Sequence, residues 1–207
     1  MHPDEQVLVI ERKAIEPLGI FNGLVFDIAP YLKEIFTPGV PRFMPRAQAE
    51  KNPNFKQLIP YVIIAHDGKY LSYVRGKRAG ETRLVGNRSI GIGGHINPVD
   101  HDAPLFNTNF YETYLAAVER EIAEEITINS PHTNNIVALL NDESNEVGSV
   151  HLGLVHFCKL QSPNVTRKEQ MITQMTFMSE PELQKEKPTL ETWSALCLDG
   201  IQKLQSH

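Results

Sequence analysis

Cysteine is nearly absent from this chain: two in 207 residues, Cys158 and Cys197. Two thiols exclude a disulfide framework and a cysteine-rich zinc site. Each lies in an apolar run (VHFCKL and SALCLD), which predicts buried, reduced side chains. Long apolar runs are also missing, and none approaches the ~18 residues that span a bilayer. The opening residues, MHPDEQVLVIERK, are acidic early and only briefly apolar, unlike a signal peptide. These features predict a cytoplasmic protein. Positive charge is not in excess: Lys+Arg number 20 against Asp+Glu 25, a formal net charge of −5. Sequence-independent nucleic-acid binding needs a basic face that this balance does not supply. A small phosphorylated substrate is still admitted, because a bound cation inverts the local field. No Gly-x-x-x-x-Gly-Lys-Ser/Thr pattern is present, so Gly76 and Gly80 do not make a phosphate-cradling loop.

What is present is ordinary globular composition, 41% hydrophobic and 22% charged. Residues 1–56 read as an N-terminal extension packed on a main domain of residues 57–207. In the extension, Gln6–Glu11 predicts a strand, and Ile28–Phe36 and Arg46–Lys51 predict short helices. Pro38, Pro41, Pro45 and Pro53 interrupt regular structure. In the main domain, Leu58–His66 and Lys69–Arg75 flank Asp67-Gly68, a strong hairpin signal. Arg83–Ile92, Asn134–Leu140, Val150–Leu160 and Gln170–Met178 predict further strands. Tyr111–Ile126 is the best helix, Pro181 suits the first turn of a short one, and Thr189–Gln205 predicts a C-terminal helix capped by Thr189. Strands mixed with helices predict an α/β fold, a mixed sheet sandwiched between helices.

The chemistry concentrates on Tyr111–Ile128, YETYLAAVEREIAEEITI. At about 100° per residue, Tyr111, Leu115, Val118, Ile122 and Ile126 form a core-facing stripe. Glu121, Glu124 and Glu125 share one flank, with the small Ala117 a turn earlier, and Arg120 precedes Glu124 by four. Three carboxylates in a turn and a half repel one another, and they lie near a helix C-terminus, where the dipole disfavours negative charge. A hard divalent cation reverses both penalties, and Mg²⁺ is normally held by one or two carboxylates plus phosphate oxygens. A solvated acidic face is the alternative.

At this point the sequence resembles the Nudix hydrolases. Their signature is Gly, five residues, Glu, seven residues, then Arg-Glu-apolar-x-Glu-Glu-x-Gly-apolar. Here Glu112 is followed by seven residues and then Arg120-Glu121-Ile122-Ala123-Glu124-Glu125-Ile126-Thr127-Ile128, with Thr127 in place of glycine. Gly93-Gly94-His95-Ile96 resembles the opening of the box, but 17 residues separate Gly94 from Glu112. Residues 97–111 therefore read as carrying an insertion. Val147–Phe157 and Phe177–Leu183 resemble later parts of the fold, so the likeness covers about residues 57–205.

The resemblance implies a Nudix-like α/β/α sandwich and cleavage of a diphosphate linkage in a nucleoside diphosphate-type substrate. It implies Mg²⁺ or Mn²⁺ on Glu121, Glu124 and Glu125, polarising the diphosphate and orienting the attacking water. Arg120 would hold Glu124 or a neighbour in place, and Glu112 suits a structural or capping role. The general base is open among Glu124, Glu143, Glu146 and Glu169. His95 follows the glycines and is a candidate for phosphate contact, as are Gly93 and Gly94. Arg75, Lys77, Arg78 and Arg83 cluster near a predicted turn, where Arg75 and Arg83 are candidates for substrate phosphates. His151 and His156, five apart on one strand, point to opposite faces. Trp193 predicts core.

Two other functions stay open. One is a non-catalytic ligand-sensing or protein-binding module on the same fold, favoured by Thr127 and the insertion. The other is an isoprenoid diphosphate isomerase, which would want a reactive cysteine that Cys158 does not resemble. The N-terminal extension offers a surface for a homodimer.

Overall fold

The computed structural model describes residues 5–76, 86–100, 109–168 and 172–206. Lys77, Arg78, Arg83, Glu169 and the bulk of the expected insertion, residues 101–108, lie outside them. The elements, in order, are β1 (Gln6–Glu11), α1 (Arg12–Ile15), β2 (Gly23–Val25), α2 (Ala29–Ile35), β3 (Arg42–Pro45) and α3 (Arg46–Ala49). Next come β4 (Phe55–His66), β5 (Lys69–Arg75), β6 (Arg88–Ser89), β7 (Gly91–Gly93) and α4 (Phe110–Glu125). The chain finishes with β8 (Ile126–Ile128), β9 (His132–Asn141), α5 (Glu146–Ser149), β10 (His151–Leu160), β11 (Val165–Arg167), β12 (Ile172–Ser179), α6 (Glu180–Glu186), α7 (Thr192–Asp199) and α8 (Ile201–Ser206). The strands are bonded in the order β12-β5-β4-β10-β9-β2, with β8 and β11 a separate pair. The fold is mixed α/β, as expected.

The chain divides into two compact units: Met1–Pro60, Gly93–Arg120 and Ala138–Leu154 make the first, and Tyr61–Ile92, Glu121–Val137 and Val155–His207 the second. Strands β4, β9 and β10 and helix α4 begin in one and end in the other.

In the first unit, β1 pairs antiparallel with β3 (Val7 opposite Met44) and with the start of β4 (Val9 opposite Gln57). Beyond that pairing, Leu8 N donates to Ile96 O at 2.9 Å. Val7, Val9 and Ala49 bury a small core under Met44 and Phe55. Strands β2 and β3 were not legible as strands, because their partners lie far along the chain. β2 pairs with the end of β9, Leu24 opposite Leu140. A buried ammonium organises the β9–β10 link: Lys56 Nζ donates to Asn141 Oδ1 at 2.8 Å, Glu143 Oε1 at 2.7 Å and Gly148 O at 3.2 Å. Its three N–H donors meet three acceptors, which is what a 1% exposed lysine requires.

In the second unit, Asp67 and Gly68 turn β4 into β5 with both φ angles positive, +45° and +70°, the hairpin conformation that Asp-Gly favours. β12 lies against β5, Phe177 opposite Leu71. The expected C-terminal helix is two: Glu191 precedes α7, and the break at Gly200 starts α8. Ser179 and Glu182 form a capping box on α6, with proline in its first turn. Cys158 and Cys197 are buried thiols outside any disulfide. Trp193 is half-buried, edge-on to Tyr61 with ring centroids 5.6 Å apart.

Candidate active site

Helix α4 carries the candidate residues, and it is rotated from the orientation its apolar spacing predicts. Tyr111 and Leu115 are 39% and 38% exposed, whereas Tyr114, Ala117, Val118 and Ile122 are buried. At about 100° per residue, Glu121 and Glu125 lie within ~20° of Tyr114, on the inward face itself. Both are accordingly partly buried, and Glu124, on the flank, is exposed. Ala117, a turn before the acids, is fully buried. Competition decided the rotation, since two large apolar side chains tolerate partial solvent and Tyr114 offers a bulky ring for the core.

In the first unit, Arg120 Nε donates to Asp100 Oδ1 at 2.6 Å, and its Nη2 donates to Asp100 Oδ2 and to His95 O, both at 2.9 Å. Asp100 is buried, on a 3-10 turn at Pro98–Asp100. Its Oδ2 also accepts Asn97 N at 2.8 Å. Five residues separate Gly94 from Asp100 and nineteen separate Asp100 from Arg120. Asp100 therefore stands where the pattern places its first acid, the place assigned above to Glu112, and the extra residues follow the acid. Glu112 is exposed in the first turn of α4. The signal was available: an acid at the right count from the glycine.

The glycines before it are required by close approach. A Cβ on Gly93 would sit 2.2 Å from Pro60 O. In the second unit, a Cβ on Gly91 would sit 2.2 Å from the Tyr61 ring. His95 is partly exposed, but its Nε2 is buried and has no hydrogen-bond partner among the described residues. Burial first, then the charges of Arg46, His151 and Arg120, push His95 well below the usual histidine range. Its ring packs edge-on to His151, centroids 5.6 Å apart.

In the second unit, α4 ends without the glycine of the family pattern. Lys168 supplies the cap: its backbone N donates to Glu125 O at 2.9 Å and its Nζ to Ala123 O at 2.8 Å. A cation at a helix C-terminus also offsets the dipole that three glutamates oppose. Thr127 then enters strand β8 opposite Thr166, an extended position that suits a β-branched residue.

Arg75 Nε donates to Glu191 Oε2 at 3.0 Å, and the guanidinium carbon lies 5.6 Å from the Tyr73 ring centroid. Burial alone would pull the Arg75 pKa down; Tyr73, Glu191 and Glu125 outweigh it and hold the charge firmly. Among the other candidate bases, Glu143 accepts from Lys56, Arg12 and Asn141. Burial works upward on its carboxyl, but these partners outweigh it and lower the pKa, which makes it a weak base. Glu146 is exposed at the start of α5. His156 and His151 are both buried, with His156 Nδ1 3.0 Å from Asn134 Oδ1.

The donor set suits a hard cation. Among the described residues no three His, Cys, Asp or Glu are already gathered as a metal cage. Mg²⁺ seldom uses one; a carboxylate or two with water and substrate phosphates is its usual shell. Glu121 and Glu125, a turn apart on the inward face, with Glu124 on the flank, fit that kind of site.

No family model matches the chain. Protein YmaB of Bacillus subtilis (strain 168) is 36% identical over 210 residues, spanning 96% of this chain and 98% of that protein. The crystal structure of Tm1382, assigned to the Nudix hydrolases, matches with a TM-score of 0.78 at 25% identity, over 98% of this chain and 100% of that one. The chain belongs to the Nudix hydrolase family. The NUDIX domain of Shewanella oneidensis NrtR, crystallised with ADP ribose, shares the fold at 12% identity, with a TM-score of 0.50 over 73% of this chain and 87% of that one. The match to Tm1382 runs through the N-terminal residues as well, so this Nudix chain shares its β1–α3 segment with a relative. No helix among the described residues is long and apolar enough to cross a membrane.

Proposed function

We propose that this Nudix protein is a Mg²⁺- or Mn²⁺-dependent hydrolase that cleaves a diphosphate linkage in a nucleotide derivative, by water attack on phosphorus. The observation that carries this is the inward turn of Glu121 and Glu125. Carboxylates on a buried helix face, next to like charges, are costly unless a cation joins them. A bound divalent ion would polarise the phosphoryl oxygens and lower the pKa of the attacking water. Glu121, Glu124 and Glu125 would hold it, and Glu124, exposed to solvent, is suited to accept a proton. Arg120 keeps its helix against the 93–100 segment through Asp100 and His95 O. Arg75 would meet the substrate's phosphates, and the ADP ribose of the NrtR relative supports a nucleoside diphosphate substrate. Thr127 gives the ligand-sensing alternative no support, because Lys168 caps the helix and leaves the acids in register. The two buried thiols are in keeping with a cytoplasmic setting.

The test is a panel of nucleoside diphosphate compounds with Mg²⁺ or Mn²⁺, scored by released phosphate or monophosphate. Glu125→Gln is expected to lower turnover by about two orders of magnitude or more with unchanged circular dichroism and melting temperature. Full metal-dependent activity in that variant, or binding without hydrolysis across the panel, overturns the reading.

A further inference from the structure

Helix α4 has no loop after it: Glu125 ends the helix and Ile126 begins β8. The last four carbonyls of a helix have no partner inside it, and a glycine just past the end is a common way to close them. Thr127 is committed to a strand pairing instead. Closure comes from elsewhere in the sequence. Lys168 meets two of those four carbonyls, Ala123 O through its Nζ at 2.8 Å and Glu125 O through its backbone N at 2.9 Å. The two carbonyls bracket Glu124 in the chain.

Lys168 is itself held from behind. It follows β11, which pairs with β8 from Val165 opposite Ile128 to Arg167 opposite Ile126. Asn129 N donates to Asn164 O at 2.8 Å and extends that pairing. Arg167 Nη1 donates to Ile172 O at 2.9 Å, and Ile172 lies opposite Arg75 of β5. The two-stranded ribbon is therefore tied to β12, and β12 to the main sheet. The last turn of the acid helix takes its position from this ribbon, and Lys168 is the residue that joins them. Its side chain is exposed, so a substitution there removes the ammonium bond without opening a core.

We propose that Lys168 is a positioning residue for the metal site: by holding Ala123 O and Glu125 O, it fixes where the last turn of α4 presents Glu124 and Glu125. The inference rests on the metal reading above. Mg²⁺ demands near-ideal geometry from its oxygens, so a fraying turn loses affinity. Lys168 also carries a positive charge, and charge alone acts with the opposite sign. A cation near a divalent ion repels it, and removing that cation tightens binding. Positioning and bare charge thus predict opposite outcomes of one substitution.

The experiment measures Mn²⁺ binding by electron paramagnetic resonance on full-length wild type, Lys168→Met, Lys168→Arg and Glu125→Gln. Melting temperatures and amide exchange of the metal-free proteins accompany it. Methionine keeps the stem and loses the donor, whereas arginine keeps a cationic donor for Ala123 O. K168M is expected to weaken Mn²⁺ binding about threefold to tenfold, and K168R to stay within about twofold of wild type. The amides of Glu124 and Glu125 should exchange faster in K168M than in wild type or K168R. Unchanged or tighter binding in K168M overturns the inference, and so does equal weakening in K168M and K168R. Weakening with no change in exchange at Glu124 and Glu125 also overturns it, as does a K168M that fails to fold, which marks a residue needed for the fold itself. Wild type that binds no Mn²⁺, or binding undiminished in E125Q, sinks the metal reading and this inference together. Binding lost in E125Q but equal in K168M and wild type sinks the inference alone.

Discussion

Arg120 and Asp100 face each other through two hydrogen bonds, Nε to Oδ1 at 2.6 Å and Nη2 to Oδ2 at 2.9 Å. The same guanidinium reaches His95 O, and the same carboxylate receives Asn97 N. One ion pair therefore sets both the end of the glycine turn and the phase of α4. The helix cannot rotate to bury Leu115 without withdrawing Arg120 from Asp100. This is a second reason why the apolar stripe read from spacing is not the face that is buried.

Asp100→Asn tests that linkage. The Asp100 side chain is 2% exposed and Arg120 23%. Removing one partner of a buried pair costs about 3–5 kcal/mol, and partial solvent at Arg120 reduces this to about 2–3. Urea unfolding should show that loss, and turnover should fall at least about tenfold as the helix shifts. Unchanged stability would mean that solvent serves Arg120 as well as Asp100 does.

Gly93→Ala tests the close approach on the other side of the turn. The new methyl would meet a backbone carbonyl, Pro60 O, at 2.2 Å, so a strand must move. Overpacking of this kind costs about 1–3 kcal/mol. The expected result is a lower urea midpoint with an unchanged m-value.

The hairpin at Asp67-Gly68, strand β5 and the acid helix were legible because each is written in local spacing and turn chemistry. What local pattern could not supply was the rotation of α4, since Tyr111, Tyr114 and Leu115 are all apolar enough to face inward. Tertiary partners chose among them. Asp100, Lys168 and Glu191 were missed because their roles depend on residues about 20 to 116 positions away. Asp100 alone left a countable trace, its distance from Gly94. That Glu143 accepts from Arg12 and Lys56 was not legible, because neither is near it in sequence.

Lys56→Met tests whether the buried ammonium organises the β9–β10 link. The variant leaves Asn141 Oδ1 and Gly148 O without their donor and Glu143 with Arg12 as its remaining cation among these bonds. A loss of about 3–5 kcal/mol is expected. Amide exchange should speed up across residues 141–148 before it does so in β5, and uniform exchange would place the damage elsewhere.

Acid sensitivity should come chiefly from buried histidine. Burial lowers the His156 pKa to about 4, while an unfolded chain titrates near 6.5. The unfolded state therefore takes up a proton first as pH falls, and stability present above about pH 6.5 drains away down to about pH 4. A shift of that size corresponds to roughly 3 kcal/mol. His95, lowered mainly by burial, acts in the same direction. Glu143 works in a lower window: its folded pKa is depressed, so its contribution is lost only below about pH 4.5. His156→Gln removes one titration while keeping a polar group near Asn134. Between pH 7 and 5, its unfolding free energy should fall by about 2 kcal/mol less than that of the wild type, as read from urea curves. Parallel losses in the two proteins would show that the fold does not lower the His156 pKa.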